Sequence, residues 1–144
     1  MATPNVNTKI WLALRARVAS LALTPALPVI WPGQNKDLPS VRCIEVVNMV
    51  NRPDRRFIGS NDPHDRMGIL QIGLLSLFAD SEHAETTTRE IAGDIADHFV
   101  VDMPLRYQDV DVRVYEAPEV GSSLKDEARS RIVTPVSIRW RTFA

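Results

Sequence analysis

Arg131-Ile132-Val133-Thr134-Pro135-Val136-Ser137-Ile138-Arg139-Trp140-Arg141-Thr142-Phe143 is the stretch that decides the fold. Ile132, Thr134, Val136, Ile138 and Trp140 alternate in it with Val133, Pro135, Ser137, Arg139 and Arg141. A period of two sustained over that length reads as a long strand with one buried face. Upstream, Gln108 to Tyr115 repeats the pattern, with Val110, Val112 and Val114 against Asp111, Arg113 and Tyr115, and predicts a second strand with one polar face.

Two further strands follow from β-branched and apolar runs at Ser40 to Val50 and Met67 to Phe78, which together suggest a long antiparallel hairpin. Gly68 and Gly73 in the second run mark bulges or close approaches. The connection between the runs, 51–66, contains Pro53, Gly59, Pro63 and many charges. At about 16 residues it far exceeds the two to five of a hairpin loop, so a functional or mobile loop is expected there. Pro28-Val29-Ile30-Trp31-Pro32-Gly33 reads as a short edge strand between breakers, because proline cannot donate to a ladder, and the chain is expected to turn from Gly33 to Pro39.

Helical spacing appears twice. Ile10, Leu14, Val18 and Leu21, with Trp11 beside them, predict a first helix with Lys9, Arg15 and Arg17 on its outer face, a cap from Asn5, Asn7 or Thr8, and a stop at Thr24-Pro25. Asp80-Ser81-Glu82 opens a second, with Ala84, Thr88, Ile91, Ile95 and Phe99 inward and Pro104 closing it. Its threonines and Gly93 are weak helix formers, so it depends on packing against the sheet. A polar segment, 116–130, links the last two strands. The expected fold is α+β in the order α-β-β-β-α-β-β, a mostly antiparallel sheet with two helices on one face. Residues 1–144 are read as a single domain with long loops at 51–66 and 116–130.

Composition narrows the function. Hydrophobic residues make up 44% and charged residues 24%, which fits a folded globular protein. The formal net charge of −1 supplies no global field towards nucleic acid or an anionic membrane, and no apolar stretch approaches the roughly 20 residues of a spanning helix. The first residues lack a secretion-signal pattern, and the lone Cys43, inside an apolar run, predicts a buried inert thiol in a protein made in a reducing cytoplasm.

No catalytic constellation emerges. Asp62, His64 and Asp65 form the densest polar cluster and suggest either a small metal-dependent hydrolase or a turn held by aspartate side chains. Their place between breakers favours the turn. His83 and His98, near the two ends of the second helix, read as surface residues. No serine lies in a Gly-x-Ser-x-Gly elbow and no glycine-rich phosphate loop is present, so no enzyme activity, cofactor or metal is expected. Arg52, Arg55, Arg56 and Arg66 form the one basic concentration. Interleaved acids halve its charge, so a solvated loop with internal ion pairs is the plain reading. Among functional readings a protein interface is preferred to sequence-specific nucleic-acid binding, because arginine is enriched at interfaces. Arg139 and Arg141, on the outward side of the last strand, join that set. Trp11, Trp31 and Trp140 belong to apolar faces, and Trp31 is the one placed to reach a neighbouring subunit.

The Ile10 to Leu23 helix, Val29-Ile30-Trp31-Pro32 and Pro135-Val136-Ser137-Ile138-Arg139-Trp140-Arg141, with the order of elements between them, resemble the tail-terminator proteins of long-tailed bacteriophages. That resemblance implies an α+β structural protein of the virion. It implies a homohexameric ring at the head-proximal end of the tail tube, which stops tube polymerisation and presents the head-joining surface. Expected partners are other copies of the chain, the tail tube protein and head-tail connector proteins, with no membrane. The segments 51–66 and 116–130 would reach neighbours. Another head-tail connector or neck protein is the alternative on the same evidence.

Overall fold

The computed structural model describes residues 5–23, 26–33, 41–59, 62–77 and 84–144, with the side chains of 84 and 85 outside the description. At its centre β4 (His64–Leu77) and β9 (Arg131–Phe143) pair antiparallel along their whole length, from Asp65 opposite Phe143 to Leu77 opposite Arg131. The alternation expected for β9 holds: Thr134, Val136, Ile138, Trp140 and Thr142 are buried, and only Ile132, at the start, is partly exposed. Across the ladder Leu70 faces Ile138, Ile72 faces Val136 and Leu74 faces Thr134, so one face of both strands forms an apolar sheet floor.

On the other side of β4 lies β2 (Cys43–Val50), antiparallel, with Ile44 and Val46 continuing the same buried face. The short edge strand is present as β1 (Val29–Ile30). It runs parallel to β2, so the sheet is mixed. Cys43 is fully buried, and burial pushes its thiol pKa up, which suits the inert role expected.

The element order is corrected in three places. Among the described residues the sheet has nine strands, in the order β1-β2-β4-β9-β6-β5 with β3, β7 and β8 attached beside that path. Within 51–66, β3 (Asp54–Arg55) pairs with the start of β4, and His64, Asp65 and Arg66 belong to β4 itself. Pro104 opens a strand, β5 (Pro104–Tyr107), which folds back through Gln108 and Asp109 onto β6 (Val110–Val114). Gln108 takes a positive φ of 53° in that turn, a conformation that asparagine-like and glycine residues usually supply. The segment 116–130 carries β7 (Glu119–Val120) and β8 (Leu124–Asp126). Together with β6 they lie antiparallel along the second side of β9, in pieces of two to five residues.

Both helices bury their apolar stripes in one cluster with the inner sheet residues. Helix α1 (Val6–Ala19) is capped by Asn5, whose side chain accepts from Thr8 N at 3.0 Å, and it buries Ile10, Ala13, Leu14 and Val18. It ends at Ser20, whose N–H bonds back to Ala16 O, well before the expected stop at Thr24-Pro25, which lies outside the described residues. Lys9 is not on the outer face: its ammonium reaches Asp109, in the β5–β6 turn, at 2.6 Å. The long stem can lie in the apolar layer while the charge finds its partner.

Helix α2 (Ala84–His98) buries Thr88, Ile91 and Ile95, with Phe99 just past its end. Its proposed opening at Asp80-Ser81-Glu82, His83, the side chain of Ala84 and the Gly33 to Pro39 turn beyond Gly33 fall outside the described residues. The two helix C-termini cap one another. Arg17 donates two hydrogen bonds to the His98 carbonyl, at 3.0 and 2.7 Å, and the His98 ring Nε2 sits 2.9 Å from the Arg17 carbonyl and from Ser20 Oγ. Orphan carbonyls at helix ends are thereby satisfied. His98 is therefore half-buried and not a free surface residue, and burial lowers its pKa from the ordinary histidine value.

Candidate functional site

The sheet draws one arginine of the 51–66 segment, with another from the last strand, around one carboxylate. Asp65 is the second residue of β4, on the outer face of the sheet, and its side chain is completely buried. Arg141 of β9 reaches it diagonally with both ends of its fork, at 2.9 Å from Nε and 2.8 Å from Nη2. Arg56 adds a longer contact at 3.4 Å and also approaches Asp54 at 3.7 Å. Hydrogen bonds from Arg141 hold the Asp65 carboxyl below the ordinary carboxylate range against the upward pull of burial, and its charge and Arg56 act in the same direction. Phe143 lies under the Arg141 guanidinium, 5.1 Å from its ring centre.

Asp62, His64 and Asp65 do not converge. His64 and Asp65 are successive strand residues and so point to opposite faces. Asp62 accepts from Gly59 N at 2.9 Å, and its own N–H bonds to Gly59 O at 3.2 Å, which is the aspartate-held turn. Among the described residues no three histidine, cysteine, aspartate or glutamate side chains gather as a metal site. A cleft of about 410 Å³ opens beside them, and its lining mixes Arg66 with Asp62 and Asp109, so it presents no strong field of either sign.

The remaining arginines divide into tied and open. Arg66 donates to Ala144 O at 3.0 Å and to Asn7 Oδ1 at 3.3 Å, fastening the ends of β9 and α1 together. Arg139 pairs with Glu116 at 3.3 Å and more loosely with Glu119 at 3.9 Å, so it ties the 116–130 segment to β9. Arg55 donates to the carbonyls of Phe57 and Ile58 within its own turn. Arg52 is exposed. Trp31 is half-buried, edge-on to Trp11 at 6.3 Å with Arg15 stacked over it at 5.2 Å, so it packs on α1. The structure thus gathers Arg56, Arg141 and Asp65 at one end of the sheet, leaves Arg52 and Arg55 outward beside them, and places Trp31 elsewhere. The sequence reading groups Asp65 with Asp62 and His64 and not with Arg141, since only the β4–β9 register brings those two together.

A model of the phage tail terminator protein family matches residues 9–140. No curated protein matches the chain significantly. A solved structure of another protein superposes with a TM-score of 0.72 over 96% of each chain at 19% identity, a likeness of fold alone.

Proposed function

The chain belongs to the phage tail terminator protein family, and we propose that it forms a hexameric ring on the head-proximal end of the tail tube. The family is one of structural proteins, and the chain is accordingly a component of the phage tail that contacts other structural proteins of the virion. In the proposed role the ring stops further addition of tube protein and presents the surface that joins the head. The match over 9–140, nearly all of the described chain, is the observation that carries this reading.

Several features support it. A ring needs a rigid body with two different contact surfaces, since identical rotation from copy to copy joins unlike patches head to tail. The β4–β9 ladder, sealed on one face by both helices, is such a body. Of the arginines proposed for contacts, Arg52 and Arg55 keep their charges at the surface, while Arg56, Arg66, Arg139 and Arg141 serve first to hold the subunit's own segments in place.

Purified protein added to polymerising tube protein is expected to be found as a ring at one end of each tube and to halt lengthening. Tubes that lengthen at the same rate with and without it would contradict the terminator role.

A further inference from the structure

Two apolar patches of opposite surrounding charge lie towards opposite edges of the sheet. In the order β1-β2-β4-β9-β6-β5, β2 stands next to one edge and β5 is the other. Towards the end of β2, Val47 and Met49 on the outer face and Val50 on the helix-facing side leave 43%, 43% and 57% of their surfaces exposed, and the chain runs directly on into Arg52 and Arg55. At the far side, the connection from α2 to β5 exposes Val100 by 55% and Val101 by 41%. Asp94 and Asp97, in the last turns of α2, and Asp102 frame those two valines, and all three are exposed.

These charges are uncommitted. Among the described residues Asp94, Asp97, Asp102 and Arg52 have no ion pair, and Arg55 donates to backbone carbonyls, whereas Arg56, Arg139 and Arg141 all have carboxylate partners. The two sheet edges also differ. The register of β1 reaches only Ile44 and Glu45, so among the described strands none pairs with Val46 to Val50 on that side. The β5 edge is blunted by Pro104 and Arg106, which is how sheets ordinarily discourage further pairing. A largely apolar recess of about 290 Å³, lined by Asn7, Ile10, Asn48, Val50, Pro53 and Trp140, opens on the helix-facing side of the β2 edge and is roomy enough for a small aliphatic side chain.

We propose that the free edge of β2 in one copy docks on the α2–β5 corner of the next, with Val47 and Met49 on one side of that edge and Val50 on the other against Val100 and Val101, and with Arg52 and Arg55 facing Asp94, Asp97 and Asp102. Interfaces of this kind have an apolar centre and a charged rim, and the rim sets partner and orientation. A two-fold contact through either patch would place like charges together, so the pairing favours a head-to-tail arrangement. The inference rests on the ring reading above and names the surfaces by which such a ring closes.

Charge reversal tests it. A phage lacking the gene is supplied in the host cell with the wild-type chain, with R52E/R55E, with D94K/D97K, or with all four changes. All the positions are exposed, so each variant is expected to keep the wild-type circular dichroism, with at most a small loss of melting temperature from the turn that Arg55 helps to hold. Each double reversal is expected to lower infectious titre by about 100-fold or more, because like charges then meet across the rim, and the quadruple variant to recover to within about tenfold of wild type. Wild-type titre with either double variant, or no recovery in the quadruple variant, would overturn the contact.

A chain carrying Val50→Cys and Val101→Cys gives a check that reverses no charge. Mild oxidation of tails assembled with it is expected to yield a ladder of covalent oligomers, and either single variant none. A failure of the ladder to form would overturn the contact even if tails remain intact. A wild-type chain that does not restore tails would instead overturn the terminator reading on which the contact rests.

Discussion

Arg141→Ala is expected to lower the melting temperature of the folded chain by several degrees near neutral pH, because it strips the main partner from a buried carboxylate. It leaves the Asp65 carboxylate with only the 3.4 Å contact to Arg56. The reciprocal change is milder. Asp65→Asn leaves a guanidinium that is 40% exposed and that water can solvate, for a loss of about 1 kcal/mol, close to the value of one ordinary hydrogen bond. The asymmetry is the diagnostic, because a weak surface pair would give equally small losses from either side.

The pH dependence has a definite sign. In the wild type the Asp65 pKa is lowered on folding, so its contribution is fully present above the ordinary value of 3.8 and is lost as pH falls through the lower folded value. The alanine variant lacks the Arg141 hydrogen bonds that lower this pKa, so it gains less from ionisation of the carboxyl. The difference in unfolding free energy between the two proteins should therefore be widest at neutral pH and narrow below about pH 4. Urea unfolding at several pH values checks this, and a pH-independent difference would count against the pair as described.

Gly68→Ala is expected to cost about 3 kcal/mol, the upper end of overpacking penalties, with valine costing more. The backbone conformation does not require glycine there; the space does. A Cβ at Gly68 would sit 2.5 Å from Trp140 Cζ2 and 2.6 Å from the Met49 carbonyl oxygen. Neither can retreat easily. Trp140 is fully buried and its indole N–H is held by Asn48 Oδ1 at 3.1 Å, and the Met49 carbonyl belongs to the neighbouring strand. Gly73→Ala is the control, since the nearest atom to its Cβ is Val133 Cγ1 at 3.5 Å, an ordinary contact. That change should be close to neutral, within about 0.5 kcal/mol, as ordinary substitutions away from tight packing are. Thermal unfolding should separate the two glycines clearly, and equal losses would show that Gly68 is not the close approach.

The same pair of glycines shows what was legible in the sequence. Both stood in an apolar run and both were read as bulges or close approaches, yet the ladder passes through them without a bulge and only Gly68 is crowded. Crowding depends on which residue of β9 lies opposite, and that register is a tertiary fact. The long strand at Arg131 to Phe143 and the three valines of β6 could be read directly, because their alternation is undiluted. β5, β7 and β8 could not, since pieces of two to four residues carry too little period, and Pro104 looks the same at the end of a helix as at the start of an edge strand.

Side-chain roles were less legible than elements. Lys9 sits at a position that helical spacing assigns to solvent, and it is drawn inward by Asp109, a hundred residues away. His98 is held by the end of the other helix. The arginines were recognisable as a group, but their division into those that tie Asp65, Ala144 and Glu116 and those left outward follows from strand pairing that no local pattern encodes.

The most direct test of the terminator role is electron microscopy of particles made when the gene is deleted, with tail length and head attachment scored. The account predicts tails longer than those of the wild type and without heads. Tails of normal length that merely fail to join heads, or intact infectious particles, would contradict it.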